Sequence, residues 1–208
     1  MTAFTRPSAA SAGAVCAARW SLPSEPERAA LARELAAAEP ALELFDDVEA
    51  PALLATAWAE AGASLPALPP LGTQPAWKAV ADRVANWRAE GSDTPECLVV
   101  VRQPLRAPDP DGQRDWVAAV LRTLDADEHP PEGLIAATFF ASRDGVVVYN
   151  FAEWTSPEAH RAALRRGSYG QHGSIGASAL WRATREHPAI TPEHEVRRYQ
   201  LHRPAAPA

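Results

Sequence analysis

The sequence predicts an α+β fold built from two successive units, each running strand–helix–strand–strand–helix, with a further strand closing the second. Three observations carry this. Val146–Trp154, VVVYNFAEW, is β-branched and aromatic, and it leads directly into Ser156-Pro157-Glu158, a helix opening with a capping serine, a first-turn proline and an acid at the positive end of the dipole. Cys97–Gln103 is a nearly continuous apolar run, as expected for a strand covered on both faces. The order of predicted elements in the first half returns in the second.

Taken in order, Met1–Gly13 is rich in small residues and reads as a disordered tail. It has one arginine and no apolar centre, so it does not read as a secretory signal. Ala14–Trp20 is a short strand. Ser24-Glu25-Pro26-Glu27 opens a helix to about Glu39, with Leu31 and Leu35 on one face, and Pro40 ends it. Ala41–Val48 and Ala52–Glu60 read as two strands, and the Pro- and Gly-rich stretch 62–75 as a loop. Trp77, Val80, Val84 and Trp87 recur at helical spacing, which predicts an amphipathic helix over Trp77–Glu90. The first unit, 14–91, then lacks a fourth strand. Exchange of the final strand, or a strand hidden in 62–75, would supply it.

The second unit, 96–204, begins with the strand Cys97–Gln103. A helix follows over Gln113–Asp125, with Trp116, Val117, Val120, Leu121 and Leu124 on its buried side. Gly133–Ser142 and Val146–Glu153 form a hairpin around Asp144-Gly145. Ser156–Arg166 is a helix, Gly167–Gly173 a glycine-punctuated break, Ile175–Arg185 another helix and Glu195–His202 a closing strand. Arg19 parallels Arg102, and Leu53–Ala61 parallels Val146–Trp154 with Ala57 at the place of Asn150 and Ala61 at that of Trp154.

Net charge is −6 and no basic tract occurs, which argues against nucleic acid and anionic membrane as partners. No run approaches the roughly 20 apolar residues that span a bilayer. Cys16 and Cys97 lack zinc-site spacing and read as reduced, buried thiols of a cytoplasmic protein. No Gly-rich phosphate loop, dinucleotide fingerprint or nucleophile-elbow motif is present.

Strand alternation puts Val146, Val148, Asn150, Ala152 and Trp154 on one face. An amide and an indole there sit on an otherwise apolar surface of a central strand. One reading is an asparagine satisfied by neighbouring backbone and a tryptophan filling core. The other rests on the pattern strand–N-x-x-x-W–S-x-E-A–helix, given by Asn150, Trp154 and Ser156-Pro157-Glu158-Ala159-His160. This resembles the antibiotic biosynthesis monooxygenase family, ferredoxin-like proteins of the dimeric α+β barrel superfamily.

The resemblance implies tandem ferredoxin-like βαββαβ repeats whose antiparallel sheets pair into an α+β barrel. The working unit is then a monomeric barrel or a homodimer, with the site in the second half. It also implies a cofactor-independent monooxygenase that uses O2 to oxidise a phenolic, anthrone-like polycyclic aromatic to a quinone in polyketide tailoring. No metal, flavin or haem would take part. By the same analogy Asn150 and Trp154 grip and polarise the substrate, and His160, in place of a more familiar tyrosine, transfers a proton near neutral pH. Arg102, Tyr169 and His172 could line the pocket and contact the substrate. The alternatives are a solvent-facing His160, exposed loop positions for Tyr169 and His172, and an exposed strand-end Arg102. His129, His187, His194 and His202 carry no metal-triad spacing. Leu164 stands where haem-degrading relatives would need a ligand histidine, which speaks against haem. The rival functions are a cyclase or isomerase using the same pocket, with His160 as its acid–base group, and a non-catalytic binder of an aromatic intermediate.

Overall fold

The computed structural model describes residues 12–60, 63–65, 67–69, 71–91, 94–126, 131–167 and 179–203. Eight strands form one closed antiparallel barrel, accompanied by four helices among the described residues. The strands are β1 (Ala14–Ser21), β2 (Glu43–Asp47), β3 (Ala52–Ala59), β4 (Trp77–Arg88), β5 (Cys97–Pro104), β6 (Leu134–Ser142), β7 (Val147–Trp154) and β8 (Glu195–Leu201). The helices are α1 (Glu25–Ala38), α2 (Pro110–Ala126), α3 (Pro157–Gly167) and α4 (Ala179–Arg185). No described helix is long and apolar enough to cross a membrane.

Around the barrel the order is β4-β1-β3-β2 and then β8-β5-β7-β6, with β6 closing onto β4. Each half therefore contributes four strands in the same relative order. The seams are β2 against β8 and β6 against β4.

The fourth strand of the first half is Trp77–Arg88, which the apolar spacing predicted to be a helix. The physical reason is a register shift between Arg83 and Ala85 in the pairing of β4 with β6. A bulge adds one residue and reverses which side chains face which way. Before it, Ala79 and Ala81 point into the barrel; after it, Ala85 and Trp87 pack on the outer core beside α2. A strand with both faces partly covered and one extra residue shows apolar positions three and four apart. Neither strand exchange nor a strand in 62–75 is needed. The first half has no helix between β3 and β4 among the described residues, so its outer face is covered by α1 and by the loop that carries Leu68.

Three apolar clusters follow from strand alternation. The barrel is filled from all eight strands, by Phe45, Phe140, Tyr149, Phe151 and Tyr199 among others. Trp58, Phe140 and Phe151 meet at ring-centroid distances of 5.2 to 5.7 Å. The outer face of the first half packs on α1. That of the second half packs on α2, α3 and α4. Cys16 and Cys97 are buried free thiols.

The β6–β7 hairpin turns at Gly145, whose φ of +77° suits a residue without a side chain. Asp144 Oδ1 accepts from Ser142 Oγ and from the Val146 N–H. Ser156 Oγ accepts from the Ala159 N–H and caps α3, as its sequence predicts. Arg19 pairs with Leu54 and Arg102 with Tyr149, while Phe45 and Phe140 face those same two partners. In this register Ala55, not Ala57, stands where Asn150 does, and Ala59 stands where Trp154 does.

Candidate functional site

A cavity of ≈ 470 Å³ lies between the outer face of β5–β7 and the three helices of the second half. Its walls are apolar and strongly aromatic: Trp116 and Leu124 from α2, Phe139 from β6, Val101 from β5 and Trp181 from α4. Trp116 and Phe139 meet edge to face at 6.5 Å, and Trp116 Nε1 is anchored on the Thr184 carbonyl. The lining runs from Trp154, opposite Cys97, to Gln103 six residues along β5. At the strand rise this is roughly 20 Å, long enough for several fused rings.

Among the polar side chains of the lining, three stand together on β7 and α3. Asn150 is central in the sheet, opposite Val101 on one side and Phe139 on the other. Trp154 lies on the same face, two side chains further along. The turn Thr155-Ser156 then folds α3 back so that His160 covers the indole, with ring centroids 4.8 Å apart and the planes inclined at 65°. Asn150 Oδ1, Trp154 Nε1 and His160 Nδ1 are all buried, and none has a hydrogen-bond partner among the described residues. Leaving such a group unpaired costs on the order of 1–3 kcal/mol each. The Asn150 side-chain carbonyl oxygen is thus not satisfied by its neighbours. Orphaned polar atoms gathered on one cavity point to a ligand that completes them.

His160 is 3% exposed, so it is not a solvent-facing helix residue. Burial, with help from the nearby Arg198 and Arg161 guanidinium groups, pushes its pKa down to about 3. This corrects the expectation of proton transfer near neutral pH. The ring is neutral there and can donate or accept a hydrogen bond, but the cost of burying an imidazolium makes it a weak base.

Arg102 also departs from expectation. Alternation along β5 sends Cys97, Val99, Val101 and Gln103 toward the helices and Leu98, Val100 and Arg102 into the barrel. There its charge and hydrogen bond act on the Tyr149 hydroxyl, whose pKa burial raises overall. It does not line the cavity. Tyr169 and His172 lie outside the described residues.

Other cavity residues were given no site role from the sequence. Gln103 Nε2 donates to the carbonyls of Pro104 and Thr191, which ties β5 to the segment before β8. Trp181, Arg185 and His194 also line the cavity. The signal for His194 is its position two residues before Val196, on the cavity-facing side of β8. The α4 residues leave no such local trace. Among the described residues no group of three or more His, Cys, Asp or Glu side chains is arranged to hold a metal ion.

No protein-family model matches the sequence, and a search of curated proteins gives no match. Solved structures do match over nearly the whole chain. An anthrone oxidase-like protein superposes with a TM-score of 0.65 at 15% identity, covering 94% of each chain. A candidate monooxygenase from Fusobacterium nucleatum subsp. nucleatum gives 0.51 at 8% identity, covering 97% of this chain and 94% of that one. The chain therefore shares the fold of these monooxygenase-like proteins. At such identities the likeness is one of fold. A major regulator of staphylococcal pathogenesis shares the monooxygenase-like fold as well, with a TM-score of 0.53 at 9% identity over 90% of this chain and 98% of that one. The fold therefore hosts more than one role, and the reaction has to be argued from the site.

Proposed function

We propose that the chain is a cofactor-independent monooxygenase that oxidises a phenolic, anthrone-like polycyclic aromatic to a quinone with O2, of the kind used in aromatic polyketide tailoring. The observation that carries this is that Asn150, Trp154 and His160, each with a buried polar atom left unpaired, line one aromatic-walled cavity. The likeness of fold to an anthrone oxidase-like protein supports the same substrate class.

The chemistry asks little of the protein beyond position and dielectric. A tricyclic anthrone enolises, and its anion gives one electron to O2. The resulting radical pair forms a carbon–peroxide bond at the former methylene. Loss of the remaining C–H proton and cleavage of O–O then yield the quinone carbonyl and water. Overall one O2 is consumed, the methylene is oxidised by four electrons, one oxygen atom enters the product and the other leaves as water. The Trp154 N–H donates to the substrate oxyanion, the Asn150 amide bonds the enolic oxygen or the peroxide, and the neutral His160 ring completes the hydrogen bonding. The aromatic walls hold the rings and exclude bulk water.

The reading takes O2 as co-substrate, no resident cofactor and a single chain as the working unit. Leu164 presents only an aliphatic side chain to the cavity where a haem-degrading relative would need a histidine ligand. Neutral His160 also makes a cyclase driven by imidazole acid–base exchange a poorer match.

The test is oxygen consumption by metal-free protein given a tricyclic anthrone, beside Asn150→Ala and a protein-free control. Protein-dependent uptake that Asn150→Ala loses is expected. Uptake equal to the control would overturn the reading; quenching of tryptophan fluorescence by the anthrone in that case would indicate a binder. Addition of haem should give no shifted Soret band.

A further inference from the structure

The site is built by the second half, but one of its supports comes from the first. Glu49 lies in the turn between β2 and β3. Its Oε1 accepts from Arg198 Nη1 of β8 at 2.6 Å and from Arg161 Nη2 of α3 at 3.3 Å. Arg161 is the residue after His160, and its Nη1 also bonds Glu158 at 2.8 Å on the exposed side of the helix. Arg198 is 9% exposed, and its Nε has no partner, so its charge depends on the carboxylate at its other end.

We propose that Glu49 is a positioning residue for the site of the second half: one carboxylate oxygen joins Arg161 of α3 to Arg198 of β8 and so fixes His160 over the Trp154 indole. The physical argument is leverage. α3 is short, is capped at one end by Ser156 and packs into the core through Ala159 and Ala163. Leu164 at its far end is exposed as well as lining the cavity. A short helix held by one cap and by small residues is steadied by a lateral tie that keeps a ring–ring contact in place. The cavity wall is thus completed across the seam between the halves, although every lining residue that reaches it belongs to the second half. The proposal rests on the reading above only for its effect on turnover; the geometry it predicts can be measured without substrate.

The test follows the His160 C2–H by NMR over pH in the substrate-free protein, assigned with His160→Gln, in the wild type, Glu49→Gln and Glu49→Asp. The charges around His160 are Arg161 and Glu158 on its own helix, Arg198 on β8 and Glu49 itself, and Arg185 and His194 line the same cavity. If Glu49 only supplied charge, removing it would leave two cations uncompensated and hold the ring neutral to still lower pH. If it holds α3, its loss lets His160 rehydrate, and the midpoint rises toward 6.5. A rise of at least one pH unit in Glu49→Gln, with Glu49→Asp close to wild type, is expected; an unchanged or lowered midpoint overturns the proposal. Under turnover, Glu49→Gln should lower kcat roughly tenfold with KM little changed, because near-attack geometry rather than binding is lost. Circular dichroism of each variant establishes that the barrel is intact. If no form of the protein consumes oxygen, the oxidase reading fails, while the NMR result still decides the role of Glu49.

Discussion

His160 stands edge-on to Trp154 at 4.8 Å, and the nitrogen each turns inward, Nδ1 of the imidazole and Nε1 of the indole, is without a partner. Two residues brought together by a two-residue turn thus form a buried surface with unspent hydrogen-bonding capacity. Such a surface is disfavoured for folding and useful for recognition.

Asn150→Leu separates these two demands. It replaces an amide whose buried Oδ1 has no partner by an apolar group of similar size, so thermal unfolding should show stability unchanged or raised by about 1 kcal/mol. Oxygen uptake with an anthrone should fall to the protein-free rate. A variant that is destabilised by several kcal/mol would mean that the amide is structural.

His160 gives the folded state an acid sensitivity. The unfolded side chain binds its proton at about 6.5, and the folded one only at about 3. Between these values the unfolded chain holds more protons, so stability is fully present above pH 6.5 and declines as pH falls toward 3. The decline is on the order of 5 kcal/mol at most. His202, also lowered by burial, adds in the same direction. Urea unfolding between pH 7 and 4 should show this slope, and His160→Leu should flatten it.

Arg102→Met should leave KM for the aromatic substrate within about twofold of wild type, since the guanidinium faces the barrel interior rather than the cavity. Tenfold weaker binding, measured by fluorescence quenching, would place Arg102 on the substrate after all.

Phe151→Ala tests the barrel core. Phe151 is fully buried, with edge contacts to Trp58 at 5.2 Å and Phe140 at 5.6 Å. Its loss should cost about 3–5 kcal/mol by chemical denaturation. Ligand affinity of the folded fraction should persist, because the next residues on β7 in either direction, not Phe151, face the cavity.

What the sequence made legible was local chemistry. The Asp144-Gly145 turn, the alternation along β7 and the Ser156 cap each act within a few residues, and together they place Asn150, Trp154 and α3. What it hid was non-local or degenerate. The bulge between Arg83 and Ala85 gave β4 the spacing of a helix. The direction of Arg102 was ambiguous because β5 is covered on both faces and its apolar run shows no alternation. The neutrality of His160 depends on its burial and on Arg198, 38 positions further on. Trp181 and Arg185 reach the cavity only through the docking of α4 on α2.

The closed ring of strands carries a final consequence for how the chain can come apart. β2 and β8 meet at one seam, β6 and β4 at the other, and no described strand is left with an unpaired side. Parting the halves would bare four edges at once, together with the aromatic filling between them, so neither half has a stable intermediate to rest in. The two should melt in one transition, and a chain severed between β4 and β5 should yield fragments that are recovered soluble only when both are produced in the same cell.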